Sequence, residues 1–227
     1  MLYISQISFP GLGIDPFSLD SVAFRIGDFS VAFYGVIITL GIVLATLYVI
    51  WRAKQKGISA DTILDIGLLV VPCGVVGARL YYVLTSLDRF HSFGEIFDIR
   101  SGGLAIYGGI IGGAIAVIIM ARIKKINFFL LADMITPAVL IGQILGRWGN
   151  FFNAEAYGSA TELPWRMGLY KGGEWIYVHP TFLYESVWNL AGFVLLHFLS
   201  KKRKYDGQIA LGYVAWYGLG RAFIEPL

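Results

Sequence analysis

The sequence predicts an all-α fold, a polytopic integral membrane helical bundle of about six transmembrane helices. Three observations lead there. Hydrophobic residues fill 57% of the 227 positions and mean hydropathy is +0.68, outside the range of soluble domains. The apolar residues fall in runs long enough to cross a bilayer. Lysine and arginine gather in compact clusters between alternate runs, as cytoplasmic connections do. Charged residues are only 15% and the net charge is +3, too small to imply a nucleic-acid partner. A single cysteine, Cys73, excludes an internal disulfide, and three histidines without metal-ligand spacing suggest no metal or other cofactor. Residues 1–227 read as a single transmembrane domain.

Residues 1–30 lack the basic start of a cleavable signal peptide and contain Pro10, Pro16 and several acids. They are expected to form an outer segment on or near the interface. The first span is Val31 to Trp51, uncharged and about 31 Å long as a helix. Arg52, Lys54 and Lys56 close it. The second runs from about Thr62 to Leu87 and contains Arg79. An outer loop, 88–103, follows, with Arg89, His91, Glu95, Asp98 and Arg100. The third span is about Leu104 to Ala121 and is closed by Arg122, Lys124 and Lys125. The fourth, about Phe128 to Gly146, carries Asp133 and a kinking Pro137. A polar loop, 147–178, is expected to build a small outer head region with 88–103. The fifth span, about Pro180 to Ser200, ends in Lys201, Lys202, Arg203 and Lys204. The sixth is about Ile209 to Ile224. The basic clusters place both ends and the loops 88–103 and 147–178 outside.

The stretch Gly146 to Gly158, GRWGNFFNAEAYG, stands out at the end of the fourth span. Polar groups at the rim of the hydrocarbon are expensive and commonly serve a ligand or a pathway. The Arg147 guanidinium suits phosphate, Asn150 and Asn153 add donors for anionic or ester oxygens, and Gly146, Gly149 and Gly158 allow close backbone approach. Interfacial anchoring is the other reading of these residues. The predicted orientation brings Arg79, Arg147 and Arg221 to similar depth near the outer ends of their spans, where a lipid phosphate is the available anion. Gly108, Gly109, Gly112 and Gly113 form GGxxGG, which favours close helix packing. Gly108 and Gly109, nearer the outer end, fit a ligand role as well. Tyr34, Tyr107 and Tyr217 each precede a glycine at comparable depth, as an interfacial belt or as the lining of the arginine cavity.

In these residues the chain resembles the prolipoprotein diacylglyceryl transferases. GRWGNFFNAEAYG matches that family's signature, and FYG at 33–35, GAR at 77–79, GGLAIYGG at 102–109, HPTFLYE at 179–185 and YGLGRAFIE at 217–225 match its other blocks in order. The resemblance implies transfer of the diacylglyceryl group of phosphatidylglycerol to the thiol of a lipobox cysteine in a prolipoprotein signal peptide. A thioether forms and glycerol-1-phosphate leaves. It further implies a multi-pass protein of the bacterial cytoplasmic membrane, surrounded by membrane lipids, with its site facing the outer leaflet. By position, Arg147 and Arg221 become the essential phosphate-site arginines. Asn150, Glu155, Gly158, Tyr34, Tyr217 and Glu225 fall on functional positions, with Tyr107 and Glu155 joining the arginines as candidate catalytic groups.

Two departures from the family pattern matter. Tyr107 stands where the family often has a histidine proposed as the base, so a simple histidine-base mechanism is in doubt. Family members usually continue into a seventh span, whereas this sequence stops at Leu227. A non-enzymatic carrier of lipids or organic anions is the competing class, but its usual internal repeats and broken midplane helices are not evident.

Overall fold

Within hydrocarbon, an isolated backbone segment satisfies its own polar groups only as a helix. The computed structural model describes residues 4–90, 92–98 and 102–227. Among them the long apolar runs form α1 (Phe33–Lys54), α2 (Ala60–Thr85), α3 (Ile106–Ile123), α4 (Phe128–Phe152), α5 (Thr181–Leu199) and α6 (Gln208–Ile224). Five of these, α1 to α5, are long and apolar enough to cross a membrane. The sixth expected span is also a helix, but its 17 residues give it only about 26 Å. Large apolar side chains such as Leu68, Ile106, Val187 and Leu211 are exposed along the helices. Lipid-facing helices require that pattern, and a water-soluble bundle would reverse it. His91 and Arg100, assigned to the 88–103 loop from sequence, lie outside the described residues.

The expectation of an all-α chain is overturned by a sheet component. The segment before α1 contains the strands β1 (Ile4–Phe9), β2 (Ile14–Asp20), β3 (Val22–Ile26) and β4 (Phe29–Ala32), and the 147–178 segment contains β5 (Met167–Lys171) and β6 (Glu174–Val178). In β2 apolar and polar residues alternate along Phe17-Ser18-Leu19-Asp20, a period of two that suits a strand. β2, β1, β5 and β6 form one antiparallel sheet in that order, while β3 and β4 form a separate hairpin. The β5–β6 connection is Gly172-Gly173, both at positive φ, a conformation that suits a two-residue hairpin turn and favours glycine. The 147–178 segment is also not wholly a loop, because α4 runs on to Phe152 and keeps Arg147 and Asn150 helical.

The chain divides into two compact units, Val49–Met134 and the remainder. In the larger unit, Ile7 sits opposite Leu169 across the β1–β5 ladder, and both are fully buried. Around them pack Ala154, Met167, Val178 and Phe182. Ala154 follows α4 and Phe182 opens α5, so this core ties together the two helix ends that carry the polar site. Two further links fix the helices below it. Trp148 of α4 donates its indole N–H to Ser186 Oγ of α5 at 3.1 Å. Trp188 of α5 and Trp216 of α6 stack at 4.4 Å, each donating its N–H to the other's carbonyl, at 3.1 and 3.0 Å. Gly192 and Gly220 leave the room: a Cβ on either would come within 2.3 Å of an indole nitrogen.

In the smaller unit, α2 and α3 meet backbone to backbone. A Cβ on Gly77 would lie 2.4 Å from the Gly108 carbonyl oxygen, and one on Gly112 would lie 2.3 Å from that of Cys73. Such close approach is what small residues contribute to membrane helix packing. Asp133 is fully buried.

Candidate active site

α4, α5 and α6 each contribute a charged residue to one cluster. Arg147 Nη2 lies 2.7 Å from Glu185 Oε2, and Arg221 Nη1 lies 3.8 Å from the same oxygen. The first is a close ion pair; the second is a looser charge contact beyond hydrogen-bond range. Arg221 also pairs with Glu225, one helical turn later. The side chain of Glu185 is 12% exposed, against 25% for Arg147 and 37% for Arg221, so the carboxylate is the most enclosed of the three groups. Two of the three arginines singled out in the sequence are thus brought together. Glu185 was overlooked as a site residue although it closes the HPTFLYE block. The available signal was a carboxylate five residues into an apolar span, where an ionisable residue calls for a partner.

Just beyond α4, the chain turns sharply around Glu155. Ala154 and Ala156 both have positive φ, at 46° and 52°, an unfavourable conformation for residues with a Cβ. Three bonds hold the turn. The Glu155 N–H donates to the Asn150 carbonyl at 3.1 Å, and Glu155 Oε1 accepts from Asn150 Nδ2 at 3.0 Å and Asn153 Nδ2 at 3.1 Å. Thr181 Oγ1 donates to the Ala156 carbonyl at 2.7 Å, tying the turn to the start of α5. Two side-chain donors therefore orient one carboxylate on a backbone forced out of its easy conformations.

The remaining predicted residues of this unit lie around the same helix ends. Tyr34, in the first turn of α1, packs against Gly149, where a Cβ would come within 2.8 Å of its ring. Gly158 pairs through its N–H with the His179 carbonyl at 3.0 Å, and a Cβ there would strike His179 and Thr181. Tyr217, one turn before Arg221, stacks on Tyr213 at 5.9 Å and lines a small cavity with Glu185 and Arg221.

Arg79 belongs to the smaller unit and is 8% exposed. It donates to four backbone carbonyls: Nε to Ile96 at 2.8 Å, Nη1 to Gly102 and Gly103 at 2.8 and 3.0 Å, and Nη2 to Glu95 at 2.6 Å. These bonds engage most of the guanidinium's five N–H groups. Gly102 and Gly103 have φ of 93° and 73°, and a Cβ on Gly103 would fall 2.5 Å from Arg79 Nη1. Beside this clamp is a cavity of about 170 Å³ bordered by Arg79, Tyr82, Arg89 and Glu95. The clamped segment leads into α3, whose entry is tied to α2 by the Ala105 N–H on the Ala78 carbonyl at 3.0 Å. Tyr107 follows in the first turn of α3, 67% exposed, its ring 6.3 Å from that of Tyr81. Gly108 is buried against Gly77, while a Cβ on Gly109 would make only ordinary contact, 3.6 Å from the Gly74 carbonyl oxygen.

A family model described as prolipoprotein diacylglyceryl transferase matches residues 21–227. The chain is 43% identical over 210 residues to a phosphatidylglycerol–prolipoprotein diacylglyceryl transferase of Clostridioides difficile, covering 92% of this chain and 83% of that protein. It is 44% identical to the enzyme of that name from Finegoldia magna over 92% and 84% of the two chains, and 42% identical to the one from Listeria monocytogenes serotype 4a over 96% and 81%. Similarity at that level across nearly the whole chain means that the protein belongs to the prolipoprotein diacylglyceryl transferase family.

Proposed function

We propose that the protein transfers the sn-1,2-diacylglyceryl group of phosphatidylglycerol to the cysteine thiol of a lipobox in prolipoproteins. The observation that carries this reading is the pair of arginines, from α4 and α6, meeting on one enclosed carboxylate in a chain of membrane-length helices. The substrate cysteine gives its proton to a lipid phosphate oxygen, a carboxylate or water, and the thiolate attacks the glycerol carbon that bears the phosphate. A carbon–sulfur bond forms, the carbon–oxygen bond breaks, and glycerol-1-phosphate carries away the bonding electrons. Negative charge grows on the leaving phosphate, and Arg147 and Arg221 are the donors placed to stabilise it.

The other residues take supporting parts in this proposal. Asn150 and Asn153 fix Glu155 as an oriented carboxylate, while Tyr34, Gly158, Tyr217 and Glu225 shape the surrounding wall. Tyr107 donates a hydrogen bond to a phosphate or glycerol oxygen, with Gly109 leaving space beside it. Arg79 and Gly108 secure the approach to α3, and Arg79 reaches ligand only through the cavity at its side. The basic clusters between alternate spans support a site on the outer leaflet of the bacterial cytoplasmic membrane, where exported precursors emerge.

The test is reconstitution in phosphatidylglycerol vesicles with a lipobox peptide. The expected product is a peptide heavier by one diacylglyceryl group, with glycerol phosphate released in equal amount and no reaction of a peptide bearing serine for cysteine. Lipid binding without peptide modification would favour the carrier reading.

A further inference from the structure

We infer that Glu185 is the positioning residue of the phosphate site, aiming both arginines and offsetting one of their two charges. The inference rests on the transfer reaction proposed above. One carboxylate oxygen, Oε2, serves Arg147 at 2.7 Å and Arg221 at 3.8 Å. The nearer arginine is held in a close ion pair. The farther one feels the charge of Glu185 without closing onto it, and its other edge pairs with the exposed Glu225, a screened partner that an arriving phosphate can displace. Glu185 is the least exposed of the three, which leaves the more accessible guanidinium edges for a ligand.

Helix docking alone does not account for this carboxylate. α4 and α5 are already joined by Trp148 and Ser186, and α5 and α6 by the Trp188–Trp216 exchange. What Glu185 adds is charge. Arg147, Arg221 and Glu185 together carry one net positive charge. That matches a phosphodiester, which has one negative charge, better than a phosphomonoester, which carries about 1.5 to 2 at neutral pH. Glu225, 59% exposed, contributes less because solvent and salt screen it. Glu185 therefore orients the arginines for the lipid and keeps the leaving group from being held after the bond has broken.

Glu185→Gln retains the shape and removes the charge; Glu185→Asp retains the charge and shortens the reach by one methylene. The full chain, purified in detergent, would be titrated calorimetrically with sn-glycerol 1-phosphate, and its rate of peptide lipidation measured with phosphatidylglycerol. Glu185→Gln should bind glycerol phosphate at least about fivefold more tightly and turn over at least about tenfold more slowly. Glu185→Asp should keep its affinity within about twofold of wild type and lose turnover. A structural role would not tighten ligand binding while slowing the reaction. Glycerol phosphate affinity in Glu185→Gln at or below that of wild type, or unchanged turnover, overturns the inference. If Glu185→Gln does not fold, Glu185→Asp decides: slower turnover at unchanged affinity supports the inference, and any other result overturns it. A wild-type protein that lipidates no peptide removes the transfer reading and this inference with it; an active wild type with the wrong variant pattern removes the inference alone.

Discussion

Arginine and lysine carry the same charge, so exchanging them at 147 and 221 tests geometry. A guanidinium can hold Glu185 with one edge and phosphate with another, whereas an ammonium is a compact point charge without that fork. Arg147→Lys and Arg221→Lys should each lose about 2–4 kcal/mol of transition-state stabilisation, or about 30- to 1000-fold in rate. Near-normal turnover in the lipidation assay would refute the two-edged role. At position 107 the question is proton chemistry. A phenol that carries its proton has an O–H to donate and no ready place for a thiol's proton. A hydrogen-bond donor is the better reading. Tyr107→Phe should lower the rate and Tyr107→His should retain substantial activity, because imidazole can also donate. Initial rates from pH 6 to 9 check both. Unchanged activity in Tyr107→Phe would reduce the residue to packing, and a wild-type limb near pH 7 that disappears in that variant would make the phenolate the base.

Between elements, backbone contact is the vulnerable feature. Gly108 faces the Gly77 carbonyl so closely that an added methyl has to push α2 and α3 apart, since backbone cannot swing aside as a side chain can. Gly108→Ala should destabilise the protein by about 1–3 kcal/mol through overpacking. Gly113→Ala, whose methyl would meet Val70 at an ordinary 3.8 Å, should be close to neutral. Thermal unfolding in detergent separates them, and equal midpoints would contradict the packing. The same contact shows what could be read in advance. The GGxxGG pattern announced a close crossing, but which of its glycines touch depends on the phase of one helix against another, and the contact fell on Gly108 and Gly112. The helices were legible to within a few residues because length and hydropathy suffice for them. The strands were not, although Gly172-Gly173 between apolar stretches and the alternation around Phe17 and Leu19 were visible signals. These strands are short, and length with mean hydropathy does not mark them. That Arg147 and Arg221 come together was legible from their placement near span ends. The role of Glu185 was not, because its meaning lies in being shared by partners 38 and 36 residues away in sequence.

For the molecule as a whole, the charge pattern makes a claim about the membrane. Ten basic residues fall in the α1–α2, α3–α4 and α5–α6 connections or in the last turns of α1 and α3 that lead into them. Reporter fusions at Gln55, Lys124 and Lys202 should therefore read cytoplasmic, and an outside reading at any of them would break the proposed orientation.

The exchange between Trp188 and Trp216 bears on how such a chain can vary. Each indole fills the space over the other helix's glycine and caps the other's carbonyl. Replacing one tryptophan leaves a hole over a glycine and takes an indole N–H away from the other residue's carbonyl, and giving either glycine a side chain evicts a ring. Trp188, Gly192, Trp216 and Gly220 thus form a single heritable unit. Lineages can be expected to keep all four or to exchange them together, so that paired substitution across these positions, rather than their individual retention, would mark where the joint between α5 and α6 has been rebuilt.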